Sequence, residues 1–192
     1  MRERLLQIIP EFDLIQDQEL REKTIHVWEV AMERGGWTPD TLLRMPFTLL
    51  INPCPASFIE HVRAVTLTAY RTALLFGEIY GTRVPIHFDY LLSGGLLHDI
   101  GKVLEYEYNG EGTAAQTAYG ALMRHPFSGA ALAFEFGLPG EVQHIIAAHA
   151  GEGDKIQRSP EATLINKADF ASFETLRDLQ IKKSPSAKMA SG

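Results

Sequence analysis

The chain has 192 residues, of which 45% are hydrophobic and 22% charged, and its formal net charge is −6. These values are ordinary for one globular domain and exclude a fibrous or a largely disordered chain. The acidic balance gives no basic surface for nucleic acid or anionic lipid, and no apolar stretch approaches the ~20 residues that span a bilayer. Because the single cysteine, Cys54, excludes an internal disulfide, we expect a cytoplasmic protein without a membrane partner.

The first part of the chain predicts a small helical extension. An apolar spacing over residues 17–34 predicts an amphipathic helix, which a pair of glycines ends. A helix-start pattern with proline predicts a short helix at residues 38–45. Two prolines make residues 51–55 a rigid connector. We therefore place a boundary there, with an N-terminal extension at residues 1–52 and the main domain at residues 53–180.

Helical patterns dominate the rest of the chain. A long one covers residues 57–80, and a strongly apolar one covers residues 88–100. Residues 105–118 are rich in small and polar residues, with a predicted surface loop at residues 109–112. The remaining predicted segments are three helices at 126–136, 141–149 and 160–179, and a disordered tail at 181–192. Because alternating strand patterns are nearly absent, we predict an all-α helical bundle.

The adjacent pair His98-Asp99 lies where the apolar helix is expected to end, just before Lys102. An imidazole and a carboxylate buried there without partners would cost free energy, and a divalent cation satisfies both. Zinc, iron, manganese, nickel and cobalt all accept these ligands. An ion pair between Asp99 and Lys102 at a helix end explains the same residues, so this segment alone leaves both interpretations open.

Four further polar residues lie at positions where a polar side chain is unexpected unless it has a partner. His61 is near the start of a long core helix, His125 precedes a proline at a helix start, and His149 ends a helix. Histidines at the ends of different helices can converge on one point. Asp169 lies in an apolar run of the last helix, where it either faces solvent or is buried with a cation or several hydrogen-bond donors. The histidines that we expect outside any metal site are His26, His87 and His144.

The ordered series of these residues resembles the HD-domain superfamily of metal-dependent phosphohydrolases. Residues 97–102, Leu-His-Asp-Ile-Gly-Lys, resemble the subgroup with a His-Asp-Ile-Gly-Lys signature. Residues 125–130 and 145–149 resemble the next two ligand-bearing helices, and residues 167–169 resemble the closing Ala-Asp. The resemblance covers about residues 57–175 and implies the HD-domain helical bundle for them.

The resemblance also implies a dinuclear metal site. In the family, the first His, the His-Asp pair and the final Asp hold one metal, and two additional histidines hold a second. The residues that correspond to the first set are His61, His98, Asp99 and Asp169. The second set would be His125 and His149, with Asp99 as the bridge. The two divalent ions could be iron, manganese, nickel or zinc, and the sequence does not choose among them.

The reaction implied by the resemblance is phosphoester hydrolysis by a hydroxide that bridges the two metals. Asp99 would be catalytic as the bridge, and Lys102 would neutralise charge on the phosphoryl group. A salt bridge from Lys102 to Glu105 or to Asp99 is the alternative. Arg63 and Arg124 are weaker candidates for phosphate binding.

The substrate class follows from departures within the family. The chain lacks the paired histidines and the Gly-Tyr-Pro signature of members that cleave cyclic di-nucleotides. Residues 147–172 also resemble the HD part of a bacterial endoribonuclease, but no basic patch accompanies them, which disfavours RNA. We therefore predict an enzyme that cleaves a phosphomonoester or phosphodiester of a small nucleotide-like molecule, with a homodimer left open. The alternatives are a non-catalytic HD protein that senses a ligand and a dinuclear-iron HD oxygenase.

Overall fold

The computed structural model describes residues 1–109 and 113–183, and within them the chain forms ten α-helices and one two-stranded sheet. The helices are α1 (Arg2–Ile8), α2 (Gln18–Gly35), α3 (Pro39–Leu42), α4 (Phe58–Tyr80), α5 (Phe88–Leu97), α6 (Lys102–Glu105), α7 (Ala118–Leu122), α8 (His125–Glu135), α9 (Gly140–Ala148) and α10 (Pro160–Lys183). The strands are β1 (Tyr106–Tyr108) and β2 (Ala114–Gln116), and short 3-10 helices lie at Pro10–Leu14, Gly81–Arg83 and Gly151–Gly153. The predicted all-α fold is confirmed. None of the described helices has the length and apolar composition that a membrane crossing requires.

Helix α5 is the centre of the bundle and packs against α2, α4, α9 and α10. Its residues from Leu91 to Leu97 are all buried. Two glycines allow this close packing: a Cβ on Gly94 would lie 2.6 Å from Cγ2 of Ile145 on α9, and a Cβ on Gly95 would lie 2.9 Å from Cδ1 of Ile165 on α10. As a result, the carboxyl end of α5 lies deep inside the protein, where several other helices end or begin.

The N-terminal helices share one hydrophobic core with the rest of the bundle. Leu5, Phe12 and Trp28 are fully buried in the same cluster as Leu96 of α5. The indole N–H of Trp28 also donates a hydrogen bond to the carbonyl of Leu96 at 3.1 Å. The sequence predicts no helix before residue 17, so α1 and the first 3-10 helix are additions made by the structure. The predicted boundary after residue 52 stays a prediction.

The long predicted helices are confirmed to within a few residues, but two of them end differently. The predicted helix at residues 88–100 ends at Leu97, and the chain turns through residues 98–101 before α6 begins. Within this turn the N–H of Ile100 donates to the carbonyl of Leu97 at 3.0 Å, which is a three-residue bond rather than an α-helical one. Helix α10 continues to Lys183, so residues 181–183 of the predicted tail are helical. Residues 184–192 lie outside the described residues.

The sequence does not predict the small hairpin that lies between α6 and α7. Strands β1 and β2 pair in antiparallel fashion, with Tyr106 opposite Gln116 and Tyr108 opposite Ala114. Each strand has only three residues, which is too short for an alternating pattern to show in the sequence. The predicted loop at residues 109–112 falls between the strands, and residues 110–112 of it lie outside the described residues.

Candidate metal centre

Side chains from five separate parts of the chain meet at the carboxyl end of α5. His61 comes from α4, the pair His98-Asp99 from the turn after α5, His125 from the first position of α8, His149 from the end of α9 and Asp169 from α10. The four histidines and Asp99 are buried, and the side chain of Asp169 is 17% exposed. The structure therefore brings together all six residues that the sequence proposes as metal ligands.

The carboxylate of Asp99 lies between two pairs of imidazole rings. Its Oδ2 is 3.4 Å from Nε2 of His61 and 3.5 Å from Nε2 of His98. Its Oδ1 is 3.2 Å from Nε2 of His125 and 3.4 Å from Nε2 of His149. These contacts define two sets of three residues, His61, His98 and Asp99 on one side and Asp99, His125 and His149 on the other. Within each set the ligand atoms lie within 4.8 Å of one another, and the two sets share only Asp99. This geometry suits a carboxylate that gives one oxygen to each of two neighbouring sites.

Backbone carbonyls fix the orientation of two of the rings. Nδ1 of His98 lies 2.6 Å from the carbonyl oxygen of Gly95, and Nδ1 of His149 lies 2.7 Å from that of Ile146. A carbonyl oxygen can only accept a hydrogen bond, so Nδ1 carries the proton in both rings. Nε2 of each ring then presents its lone pair to the cluster, as a metal ligand requires.

Asp169 contacts His61 from helix α10. Its Oδ1 lies 3.1 Å from Nε2 of His61. On the other side of this ring, Nδ1 lies 3.2 Å from Oγ of Ser172, which is nearly one turn further along α10. Asp169 and Ser172 together hold the His61 ring between α4 and α10.

Among the described residues, three buried polar atoms of this cluster have no hydrogen-bond partner: Nε2 of His61, Nε2 of His98 and Oδ1 of Asp99. An unpaired buried group of this kind costs about 1–3 kcal/mol. Divalent transition-metal ions, one in each set of ligands, would satisfy all three, because they accept imidazole nitrogen and carboxylate oxygen as ligands. The residues present therefore fit divalent cations.

The two carboxylates of the cluster are ionised in the metal-free protein. Burial acts to raise the pKa of Asp99, but the charge of Lys102 and the nearby ring of His98 hold it well below its usual value. Burial also acts to raise the pKa of Asp169, but its contact with the ring of His61 outweighs this and lowers the pKa to about 2. Two negative charges in one buried cluster form a strong site for cations.

The imidazoles differ in how readily they bind a proton. Burial lowers the pKa of His125 to about 4, even though its hydrogen bond with Glu105 opposes the shift. Burial acts in the same direction on His61, but the carboxylates of Asp169 and Asp99 beside Nε2 raise the pKa of this ring above its usual value. At neutral pH, His125 is therefore a neutral ring, whereas His61 carries a proton more readily than an isolated histidine.

Lys102 forms the ion pair that the sequence leaves as an alternative. Its Nζ donates to Oδ2 of Asp99 at 2.6 Å and to the carbonyl of Phe47 at 2.9 Å. Burial acts to lower the pKa of Lys102, but the charge of Asp99 raises it, so the ammonium group is charged. The other partner considered from the sequence, Glu105, bonds to His125 instead. The catalytic role of Lys102 stays a prediction.

Glu105 supports His125 in a way that the sequence did not reveal. One of its carboxylate oxygens accepts hydrogen bonds from both the backbone N–H and Nδ1 of His125, each at 3.0 Å. Gln116 of β2 donates to the other oxygen at 3.2 Å. Burial acts to raise the pKa of Glu105, but the hydrogen bond from His125 lowers it, so the carboxylate is ionised. A carboxylate on Nδ1 fixes the tautomer that directs Nε2 of His125 towards Asp99.

A cavity of about 350 Å³ opens beside the cluster. Its polar lining includes Asp99, Lys102, His125 and Asp169, together with Arg124. Its apolar lining consists of Phe47, Leu49, Leu50, Tyr106, Ala150, Phe170 and Phe173. The cavity gives a small molecule access to the candidate ligands and places two cationic side chains along its path.

Other residues proposed from the sequence lie elsewhere. Arg63 pairs with the buried carboxylate of Glu11 at 2.9 Å and does not line the cavity. His26 is exposed on α2. His87 accepts a hydrogen bond from a backbone N–H at the start of α5, and His144 does the same before α10. These three histidines lie outside the cluster.

Comparison with known proteins decides the family. The family model described as HD domain matches residues 58–172, which is more than half of the chain. The chain belongs to the HD-domain family. It is 30% identical over 180 residues to a dihydroneopterin 2',3'-cyclic phosphate phosphodiesterase of Methanocaldococcus jannaschii, a match that covers 88% of this chain and 68% of that protein. It is 31% identical over 100 residues to a ribonuclease Y of Thermosipho melanesiensis, covering 52% of this chain and only 16% of that protein. No solved structure matches.

Membership in the family confirms the fold class and the enzyme class predicted from the sequence. The HD protein is a metal-dependent phosphohydrolase with a cluster of His and Asp residues that can hold divalent metal ions. The match to ribonuclease Y agrees with the resemblance of part of the chain to a bacterial endoribonuclease. The roles of the individual ligands, the number of metal ions and their identity stay predictions.

Proposed function

We propose that this HD protein hydrolyses a phosphodiester of a small nucleotide-like molecule, with two divalent cations held around Asp99. The observation that carries the proposal is the division of the Asp99 carboxylate between two pairs of imidazoles beside an open cavity. A purely structural cluster would not need to leave three buried polar atoms unpaired, one of them on Asp99 at the wall of that cavity.

The proposed ligands divide into two sets with one shared member. The first set is His61, His98, Asp99 and Asp169, and the second is Asp99, His125 and His149. Paired divalent cations lower the pKa of water to near neutrality and neutralise negative charge on a phosphate. The protein supplies the rest: carbonyl and carboxylate partners fix the rings, and Asp99 is buried at the wall of the cavity.

Lys102 is proposed as the catalytic residue outside the ligand sets. Its ammonium group lies at the cavity wall, charged and 2.6 Å from Oδ2 of Asp99. A cation held there can neutralise charge that develops on a phosphoryl oxygen as the ester bond breaks. Arg124, whose side chain is half-exposed on the same cavity, adds a second positive charge for substrate binding.

A cyclic phosphodiester is the substrate class that we favour. The relative from Methanocaldococcus jannaschii is named for a 2',3'-cyclic phosphate of dihydroneopterin, and it aligns with 88% of this chain. The relative named ribonuclease Y aligns over only 16% of its own length. Together with the net charge of −6, this favours a small phosphodiester over RNA.

A substrate panel tests the proposal. The full-length protein, loaded in turn with manganese, iron, nickel and zinc, is assayed with nucleoside 2',3'-cyclic phosphates, dihydroneopterin 2',3'-cyclic phosphate, and p-nitrophenyl phosphate mono- and diesters. We expect metal-dependent hydrolysis of the cyclic diesters, and loss of that activity in His98→Ala. Absence of turnover with every metal, accompanied by tight binding of a cyclic phosphate, would instead support the ligand-sensing alternative. Oxygen consumption by the iron form without phosphate-ester cleavage would support the oxygenase.

A further inference from the structure

Large apolar side chains are exposed at the cavity that leads to a charged metal cluster. Leu50 is 83% exposed and Phe170 is 40% exposed, and both line the same cavity as Asp99. Phe173 lines it as well. Scattered apolar residues on a surface are ordinary, but apolar side chains grouped on a concave site beside a few polar groups mark a ligand-binding surface. We call Leu50, Phe170 and Phe173 the apolar wall.

The apolar wall is held in a fixed relation to the metal cluster. Phe173 is one helical turn beyond Asp169 on α10, so both side chains lie on the same face of that helix. The ring of Phe173 contacts the ring of Phe47 edge-on, with centroids 6.3 Å apart. Phe47 in turn stacks on His61 with centroids 4.4 Å apart. A continuous line of rings therefore runs from a proposed metal ligand to the apolar wall.

The other side of the wall is shaped by a local hydrogen bond. The backbone N–H of Leu50 donates to the hydroxyl of Thr48 at 3.2 Å. Thr48 is buried, and Phe47 next to it is buried against His61. Because residues 47 and 48 are fixed in this way, the turn presents the side chain of Leu50 to solvent at the cavity.

We propose that the apolar wall binds the planar heterocycle of the substrate while the phosphate reaches the Asp99 cluster. This inference rests on the proposed function. A volume of about 350 Å³ lies within the range of pockets for small ligands, and the cavity holds both the cationic groups that a phosphate needs and the aromatic surface that a ring system needs. Stacking on aromatic side chains does not depend on hydrogen-bond readout, so the wall would accept purines and pterins more readily than sugars without a base.

Two substrates with the same cyclic phosphate separate ring binding from catalysis. One is adenosine 2',3'-cyclic phosphate, and the other is methyl riboside 2',3'-cyclic phosphate, which lacks the heterocycle. The metal-loaded wild type, Leu50→Ala, Phe170→Ala and the control Leu122→Ala are compared. Leu122 is 90% exposed and is not part of the cavity lining. Metal content is measured for each variant, since the inference requires that it stay at the wild-type value.

We expect each wall variant to lose about 5- to 150-fold in kcat/KM for the adenosine substrate, mainly through KM. For the methyl riboside, kcat/KM should stay within twofold of wild type, and Leu122→Ala should change neither value. Equal losses on both substrates, or a wild type that does not prefer adenosine, would overturn the inference. A dimeric wild type would also overturn the inference if Leu50→Ala is monomeric and keeps the preference for adenosine. In that case the apolar wall would be the contact with a second copy of the chain.

Failure of the proposed function gives a different result. In that case the metal-loaded wild type hydrolyses neither substrate. The wall is then judged by equilibrium binding of the same two compounds, measured by calorimetry. If the wild type binds the adenosine compound more tightly and Phe170→Ala abolishes this difference, ring binding by the apolar wall is supported without catalysis. If wild type and variant bind both compounds equally, ring binding by the apolar wall is rejected.

Discussion

Gly101 allows helix α8 to approach the turn that carries Asp99. A Cβ at this position would lie 2.2 Å from the carbonyl oxygen of His125 and 2.5 Å from Oγ of Ser128. The Ser128 side chain can rotate away, but the carbonyl of His125 belongs to the backbone. Contacts under 3.0 Å essentially do not occur for real Cβ atoms, so Gly101→Ala must displace the start of α8 by at least about 0.8 Å.

Two effects are expected from this displacement. Overpacking of this kind costs about 1–3 kcal/mol, which for a protein of this size lowers Tm by about 2–12 °C. Because Nε2 of His125 lies only 3.2 Å from Oδ1 of Asp99, the second set of ligands is also distorted, whereas the set around His61 is not. We therefore expect Gly101→Ala to melt earlier and to bind the second metal ion more weakly than the first.

Thermal unfolding and metal analysis after equilibrium dialysis measure both effects. Gly77→Ala is the matched control, because Gly77 is exposed on α4 and an added Cβ would meet nothing within 4 Å. That substitution should leave metal content unchanged and stabilise the helix by about 0.5–1 kcal/mol. If Gly101→Ala has the Tm and the metal content of Gly77→Ala, the close approach of α8 to the turn does not control the site.

Two further predictions concern the proton and hydrogen-bond partners of the ligands. Glu105→Gln should weaken binding of the second metal ion about 10- to 100-fold without changing binding of the first, because an amide replaces the charged acceptor of the proton on Nδ1 of His125. Metal titration by calorimetry measures both affinities. An equal loss in the exposed control Glu107→Gln would contradict the prediction. The raised pKa of His61 means that the metal-free ring holds a proton as pH falls towards and below that pKa, whereas His125, with its pKa of about 4, stays neutral. Lowering the pH from 8 to 6 should therefore weaken binding of the first metal ion more than binding of the second, and should increase the number of protons released on binding. Calorimetric titrations in two buffers of different ionisation enthalpy measure both quantities. A steeper loss of affinity at the second site would refute the prediction.

The parts of the fold that the sequence predicts well are those governed by local signals. Helix α4 starts at a capping box in which Ser57 and Glu60 each accept the backbone N–H of the other, and its apolar spacing continues to its end. The sequence also indicates the candidate ligands, because the motif fixes their order along the chain. In these places, residues close in sequence determine the structure.

The features that the sequence did not reveal depend on contacts between distant segments. The turn after Leu97 is hidden within one apolar run, since its position depends on the packing of Gly101 against α8. Glu105 reaches His125 across 20 residues, by way of a hairpin too short to leave a pattern. Phe47 reaches His61 from the segment predicted as a separate extension, and neither residue carries a signal for the other.

The central claim is that Asp99 is shared by two metal ions, and metal stoichiometry tests it most directly. Wild type, Asp99→Ala and His125→Ala are dialysed against one divalent metal, checked for helical content by circular dichroism, and analysed for metal ions per chain. We expect two ions in the wild type, one in His125→Ala and none in folded Asp99→Ala, because only Asp99 belongs to both sets. Wild-type stoichiometry retained in Asp99→Ala would contradict the shared carboxylate, and an unchanged metal content in His125→Ala would contradict the second site.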